Sequence, residues 1–150
     1  LAKKQIKYVR NFTFRGINTL KADPLMPYHD KEKPFVNFWF SSSDGANVEK
    51  FNCLISPENI ERLKREGGAS IIYTHFASGF VKNGRRNHLF RQNLTYLARQ
   101  DGWFVPVGEL LDYLLKKRER LEPTKKELIK LELKWFWDKI ICLTKYLFMP

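Results

Sequence analysis

His75 is the side chain of this sequence best placed to move a proton. It ends a short, β-branched, nearly continuous apolar run, Ala69-Ser70-Ile71-Ile72-Tyr73-Thr74-His75, the pattern of a strand covered on both faces. A titratable group at the carboxyl end of a buried parallel strand, followed by a loop holding Gly79 and Gly84, lies where barrel and open-sheet enzymes place their sites. Imidazole, which titrates near ~6.5 in model compounds, can give a proton to a leaving group at neutral pH. A structural histidine is the competing reading, and position alone leaves both open. A second set of candidates follows the strand-like run at residues 35–40, where Ser41-Ser42-Ser43-Asp44-Gly45 joins small polar residues to an Asp-Gly turn. Trp39, Ser43 and Asp44 could contact a substrate there; a core indole and an ordinary turn are the plainer alternatives.

Other chemistries lack their residues. The three histidines, His29, His75 and His88, show no HxxxH or HExxH spacing, so the sequence assigns no metal site of its own. No GxSxG elbow, Walker loop or GxGxxG turn occurs, which removes the central residues of serine hydrolases, nucleotide hydrolases and dinucleotide enzymes. Cys53 and Cys142 stand far apart, outside any CxxC and without a neighbouring histidine. They indicate neither a zinc knuckle, nor a disulfide framework, nor a thiol nucleophile.

Lys and Arg total 27 against 16 Asp and Glu, a net charge of +11 that invites a polyanion: nucleic acid, acidic lipid or an anionic glycan. The most one-sided stretch is residues 82–99, with Lys82, Arg85, Arg86, Arg91 and Arg99 and no acidic residue. A nucleic-acid reader would pair such cations with exposed aromatics on a platform, whereas the aromatics here fall mainly inside apolar runs. Over residues 116–145 basic and acidic side chains mix at helical spacing, as on a solvated helix face.

These residues need elements to hold them. At 150 residues and 43% hydrophobic content, the chain fits one domain of ~100–150 residues with a real core. No leader pattern stands at its start, and the apolar stretch 140–149, interrupted by Lys145, is well short of the ~20 residues a membrane span needs. Strand-like runs at residues 6–14 and 35–40 flank a loop at 23–34 with Pro24, Pro27 and Pro34. Ser56 as N-cap, Pro57 at the first position and Gly67-Gly68 as stop bound a helix over residues 57–66. Leu89, Phe90, Leu94 and Leu97 predict another helix ending at Asp101-Gly102, followed by a strand over 103–106 and a helix over 108–120. This alternation predicts right-handed crossovers and a parallel sheet. Thr124-Lys125-Lys126-Glu127 has the form of a capping box, opening a last helix over 124–148. Its wide apolar stripe includes Ile129, Leu133, Phe136, Trp137, Ile141 and Leu147. Such a helix packs on the sheet, on a second copy or, with its lysines and boundary tryptophans, on a membrane surface.

The stretch Glu66-Gly67-Gly68-Ala69-Ser70-Ile71-Ile72-Tyr73-Thr74-His75-Phe76-Ala77-Ser78-Gly79-Phe80, with Asp101-Gly102-Trp103-Phe104-Val105-Pro106-Val107 and Glu109-Leu110-Leu111-Asp112-Tyr113-Leu114, resembles the C-terminal part of polysaccharide deacetylase-like proteins. The resemblance covers residues 35–120. It implies a hydrolase of carbohydrate metabolism on a distorted (β/α) barrel, with metal-dependent removal of acetyl groups from amino-sugar polymers. In that family a late strand ends in the histidine that serves as general acid, which places the role on His75. Many members carry a leucine lining the acetyl pocket where this sequence has Tyr73, so Tyr73 becomes a candidate substrate contact.

A divalent, zinc-like ion is implied by the family alone, because its early aspartate pair and histidine pair do not occur in these residues. A barrel of this type takes roughly 250 residues, so this sequence corresponds to roughly its second half. The expected architecture is α/β: a partial (β/α) barrel-like parallel sheet over residues 1–122 and a long C-terminal amphipathic helix over 123–150. The expected partners are a carbohydrate substrate and the missing barrel half or a second copy, with peripheral membrane contact open to the last helix. Two alternatives remain. One is a non-catalytic glycan- or envelope-associated binding module, its basic loop 82–86 facing an anionic saccharide; behind it stands a nucleic-acid-binding domain.

Overall fold

Aromatic and β-branched residues at the start of the chain form strand β1 (Tyr8–Phe14), after a single helical turn, α1 (Ala2–Gln5). Strand β2 (Phe38–Asp44) pairs with β1 in parallel, from Tyr8 opposite Phe38 to Phe14 opposite Ser43. The computed structural model describes residues 2–147, and side chains for 3–141; in it β3 (Ile72–Tyr73) completes a parallel sheet of order β1-β2-β3. A short helix α2 (Thr19–Ala22) lies in the first crossover, and α3 (Val48–Leu54) and α4 (Pro57–Glu66) form the second. Beyond β3 come an antiparallel pair, β4 (Val81–Lys82) and β5 (Arg85–Arg86), and three helices, α5 (His88–Leu97), α6 (Val107–Lys117) and α7 (Lys125–Leu147). The protein is therefore an α/β fold built on a three-stranded parallel sheet.

Local chemistry accounts for most boundaries. Ser56 Oγ accepts the Asn59 amide at 3.4 Å, Pro57 occupies the first turn of α4, and Gly67 ends it at φ +64°. At the head of α7 both capping-box bonds form: the Thr124 amide donates to Glu127 at 2.7 Å, and the Glu127 amide donates to Thr124 Oγ1 at 3.3 Å. Asn47 caps α3 by accepting the Lys50 amide at 2.9 Å. The residues expected to form a plain loop contain the hairpin β4–β5, whose two connecting residues, Asn83 and Gly84, both have positive φ. Asn-Gly is the preferred pair for such a tight turn.

Two expectations are corrected. The run 69–75 forms only two residues of strand, because α2 replaces a strand neighbour at its start. Thr19 Oγ1 accepts the Ile71 amide at 2.9 Å and Leu20 donates to the Ala69 carbonyl at 3.2 Å. Residues 101–106 form no strand; none of the described strands pairs with them, and Trp103 and Phe104 stand exposed. An apolar pattern without a partner for its amides and carbonyls does not make a strand. Phe148, expected to end the last helix, lies outside the described residues, as do the side chains of Cys142 and Leu147.

Helices reach both faces of the sheet, α6 through the bond from the Tyr8 hydroxyl to Asp112 and α7 through Lys139 Nζ, which donates to Thr13 Oγ1 at 3.3 Å. Ile72 joins a core built by Ile17, Val48, Phe51, Ile55, Ile60 and Phe80 between the sheet, α3 and α4. Phe14 and Tyr28 receive Leu131 of α7, and the rings of Phe12 and Trp135 approach to 5.4 Å. Ion pairing of Asp138 with Arg15 at 3.1 Å and donation by Lys134 Nζ to the Lys21 and Ala22 carbonyls pin α7 alongside the edge strand β1.

Candidate functional site

His75 lies two residues beyond β3, and the chain there still follows β2. The Gly45 amide donates to the Tyr73 carbonyl at 2.9 Å, and the His75 amide donates to the Ala46 carbonyl at 3.2 Å. The strands run close here: a β-carbon added at Gly45 would stand 2.7 Å from Ile72 Cγ2. Glycine at the strand end thus lets β3 deliver Tyr73 and His75 beside Asp44.

Strand alternation sorts the neighbours. Phe14, Ser43 and Ile72 point to the face covered by α2, α3 and α4. Arg10, Ser42, Asp44 and Tyr73 point to the other, with Arg10 brought into line by the bulge between Arg10 and Thr13. The Arg10 guanidinium stacks 3.6 Å from the Tyr73 ring centroid, a cation–π contact that orients the phenol. The Tyr73 and His75 rings meet edge to face at 4.7 Å, and the Tyr73 hydroxyl is hydrogen-bonded to His75 Nε2. Nε2 accepts that bond in the neutral tautomer protonated at Nδ1, and donates it in the other tautomer or as imidazolium. Among the described residues nothing bonds His75 Nδ1, and the ring is exposed on an open rim, so that nitrogen is available to a ligand.

Asp44 sits on the adjacent strand end, 2.9 Å from Lys50 Nζ, and accepts the Ala46 amide at 3.2 Å. Burial would push its carboxyl up, but the Lys50 hydrogen bond and charge, the Ala46 amide and the charge of Lys139 outweigh it and hold the carboxyl below its ordinary value. Asp44 is thus an anion already committed to a cation.

The remaining candidates separate from this group. Ser43 is fully buried, bonding the Gly16 carbonyl at 2.6 Å and Thr19 Oγ1 at 2.8 Å; it fastens the first crossover and reaches no surface. Trp39 packs half-buried with Phe14 and Tyr28, five residues before Asp44 and so ~16 Å away along the strand. Arg10 and Lys50 are the site neighbours that the sequence reading passed over. Lys50 had a signal in its helical position after Asp44, while nothing in the spacing ties Arg10 to Tyr73.

The residues present do not make a cradle for a zinc-like ion. Among the described residues no group of three His, Cys, Asp or Glu side chains comes together, and the one carboxylate beside His75 is held by Lys50. What the arrangement offers is a solvent-facing imidazole backed by a phenol and framed by an arginine and a lysine–aspartate pair. Such a set can exchange a proton and hold a polar ligand. Comparison with protein-family models, curated proteins and solved structures finds no match to this chain.

Proposed function

We propose that the chain is the C-terminal part of a polysaccharide deacetylase-like (β/α) barrel hydrolase in which His75 is the general acid. The observation that carries the reading is the exposed imidazole just past the carboxyl end of a parallel strand, its Nε2 bonded to the Tyr73 hydroxyl. In the reaction, water adds to the acetyl carbon of an N-acetylated amino sugar, the C–N bond breaks, and acetate and a free amine result. The leaving nitrogen needs a proton as that bond breaks, and the imidazolium of His75 supplies it. Tyr73, steered by Arg10, lines the approach to that nitrogen. The divalent ion that the family implies would be held by residues outside this sequence.

The unfinished edge of the sheet supports a barrel half. Among the described residues strand β3 pairs only with β2, and Trp103 and Phe104 are exposed in the segment between α5 and α6. A closed barrel supplies a neighbour to every strand. The test is acetate release from a short N-acetylated amino-sugar oligomer by protein bearing this sequence within its full open reading frame, with divalent metal added. Replacing His75 by Ala should lower the rate by about 10²-fold or more; an unchanged rate refutes the assignment.

A second reading rests on the hairpin β4–β5, which exposes Lys82, Arg85 and Arg86. It is a non-catalytic glycan-binding module for an anionic saccharide. Glycan binding that survives both chelation and His75→Ala would favour it; binding abolished by chelator would remove it.

A further inference from the structure

We infer that α7 is also a membrane-surface helix, whose outward face lies on a bilayer containing anionic lipid. The inference does not depend on the deacetylase reading. One side of α7 is spent on the fold, with Leu131 buried against Phe14 and Tyr28 and Trp135 against Phe12. The opposite side carries Ile129 and Leu133, four residues apart, with Phe136 beside them and Trp137 at the margin, where α7 borders a groove lined by Phe14 and Ile17; all four of these α7 residues are 46–60% exposed. Helical geometry places such neighbours along one ridge.

Charge selects what covers that ridge. Lys126 and Lys130 flank it at the same four-residue spacing, both exposed. The acids that would offset them are engaged elsewhere: Glu127 caps the helix and binds Arg120 at 2.6 Å, and Asp138 holds Arg15. Glu132, at the far margin, is the remaining acid on the exposed side. A second copy would bring up a chain of the same net charge, +11, whereas an anionic lipid surface attracts the exposed lysines. Apolar residues, boundary aromatics and flanking lysines on one face are the features of a helix lying in the membrane interface. Among the described residues no helix is long and apolar enough to cross a membrane, so the helix would lie on the surface.

The experiment is co-sedimentation of the full chain with phosphatidylcholine vesicles, with and without phosphatidylglycerol, alongside sedimentation equilibrium without lipid. Binding should require phosphatidylglycerol and fall about fivefold for each of Lys126→Gln and Lys130→Gln. Leu133→Asp with Trp137→Asp should weaken it about tenfold or more and leave the thermal melt in place, since both side chains are exposed. Absence of binding at low salt overturns the inference. So does binding that the face variants leave unchanged, or a lipid-free dimer that the Asp variants dissolve.

Discussion

Replacing Gly45 by alanine should destabilise the protein by ~1–3 kcal/mol, the usual cost of forcing extra volume into packed structure. The new β-carbon would stand 2.7 Å from Ile72 Cγ2 and 3.2 Å from both Phe51 Cδ2 and the Tyr73 carbonyl oxygen. Carbon atoms settle at ~3.5–4.0 Å, so Ile72 would have to retreat by roughly an ångström. It has little room to do so. Its side chain is β-branched and stiff at χ1, and it packs against the core around Phe51 and Ile60. The Tyr73 carbonyl is meanwhile held by the Gly45 amide at 2.9 Å. Relief must come from parting β2 and β3, which displaces Tyr73 and His75 together. Gly16 is the control of opposite sign: an added β-carbon there meets nothing within 4 Å, and Gly16→Ala should stabilise by ~0.4–1 kcal/mol by restricting the unfolded chain. Urea unfolding followed by tryptophan fluorescence measures both. If Gly45→Ala unfolds at the wild-type midpoint, the close approach of the two strands, and the placement of His75 that rests on it, is wrong.

Leu131→Ala should cost ~2–5 kcal/mol, as a 4% exposed leucine under α7, while Leu133→Ala, 53% exposed, should stay within ~0.5 kcal/mol; equal losses in urea melts would place α7 wrongly on the sheet. Two aspartates should give opposite pH slopes. Asp44 is held below its ordinary value of 3.8, so its ionised form contributes stability above that pH that is lost as pH falls through the lower folded value. Asp44→Asn should flatten the stability profile below about pH 4, and an unchanged acid limb would deny the Lys50 pairing. Burial pushes Asp23 up, against the hydrogen bond from Ser41 at 2.6 Å. Its contribution is present below 3.8 and lost as pH rises through the raised folded value, so Asp23→Asn should remove a loss of stability on raising the pH. A loss that persists in that variant would contradict it.

Much of the framework was legible because local physics writes it along the chain. Ser56-Pro57 with Gly67, and Thr124 with Glu127, satisfy helix-end amides and carbonyls from within a few residues, and the elements they bound form as expected. The alternation of strand and helix over residues 57–120 announced a parallel sheet, but of its two strands only the first joins one, and β1 and β2 supply the rest. The Asn83-Gly84 turn carried an equally local signal, although its flanking strands are too short and too charged to show a strand period.

Features that depend on a distant neighbour were decided only by the tertiary structure. A strand exists only where another chain segment takes up its hydrogen bonds. Residues 69–75 and 103–106 read alike, yet the first pairs with β2 and the second with none of the described strands. Ser43 and Trp39 share a segment with Asp44, but the first is buried against the first crossover and the second packs half-buried beside Phe14 and Tyr28. The contact of Arg10 with Tyr73, and through it the setting of His75, joins residues from strands that are not even adjacent in the sheet. Side-chain type and spacing name the groups that can do chemistry, while the pairing and twist of three strands bring them within reach of one another.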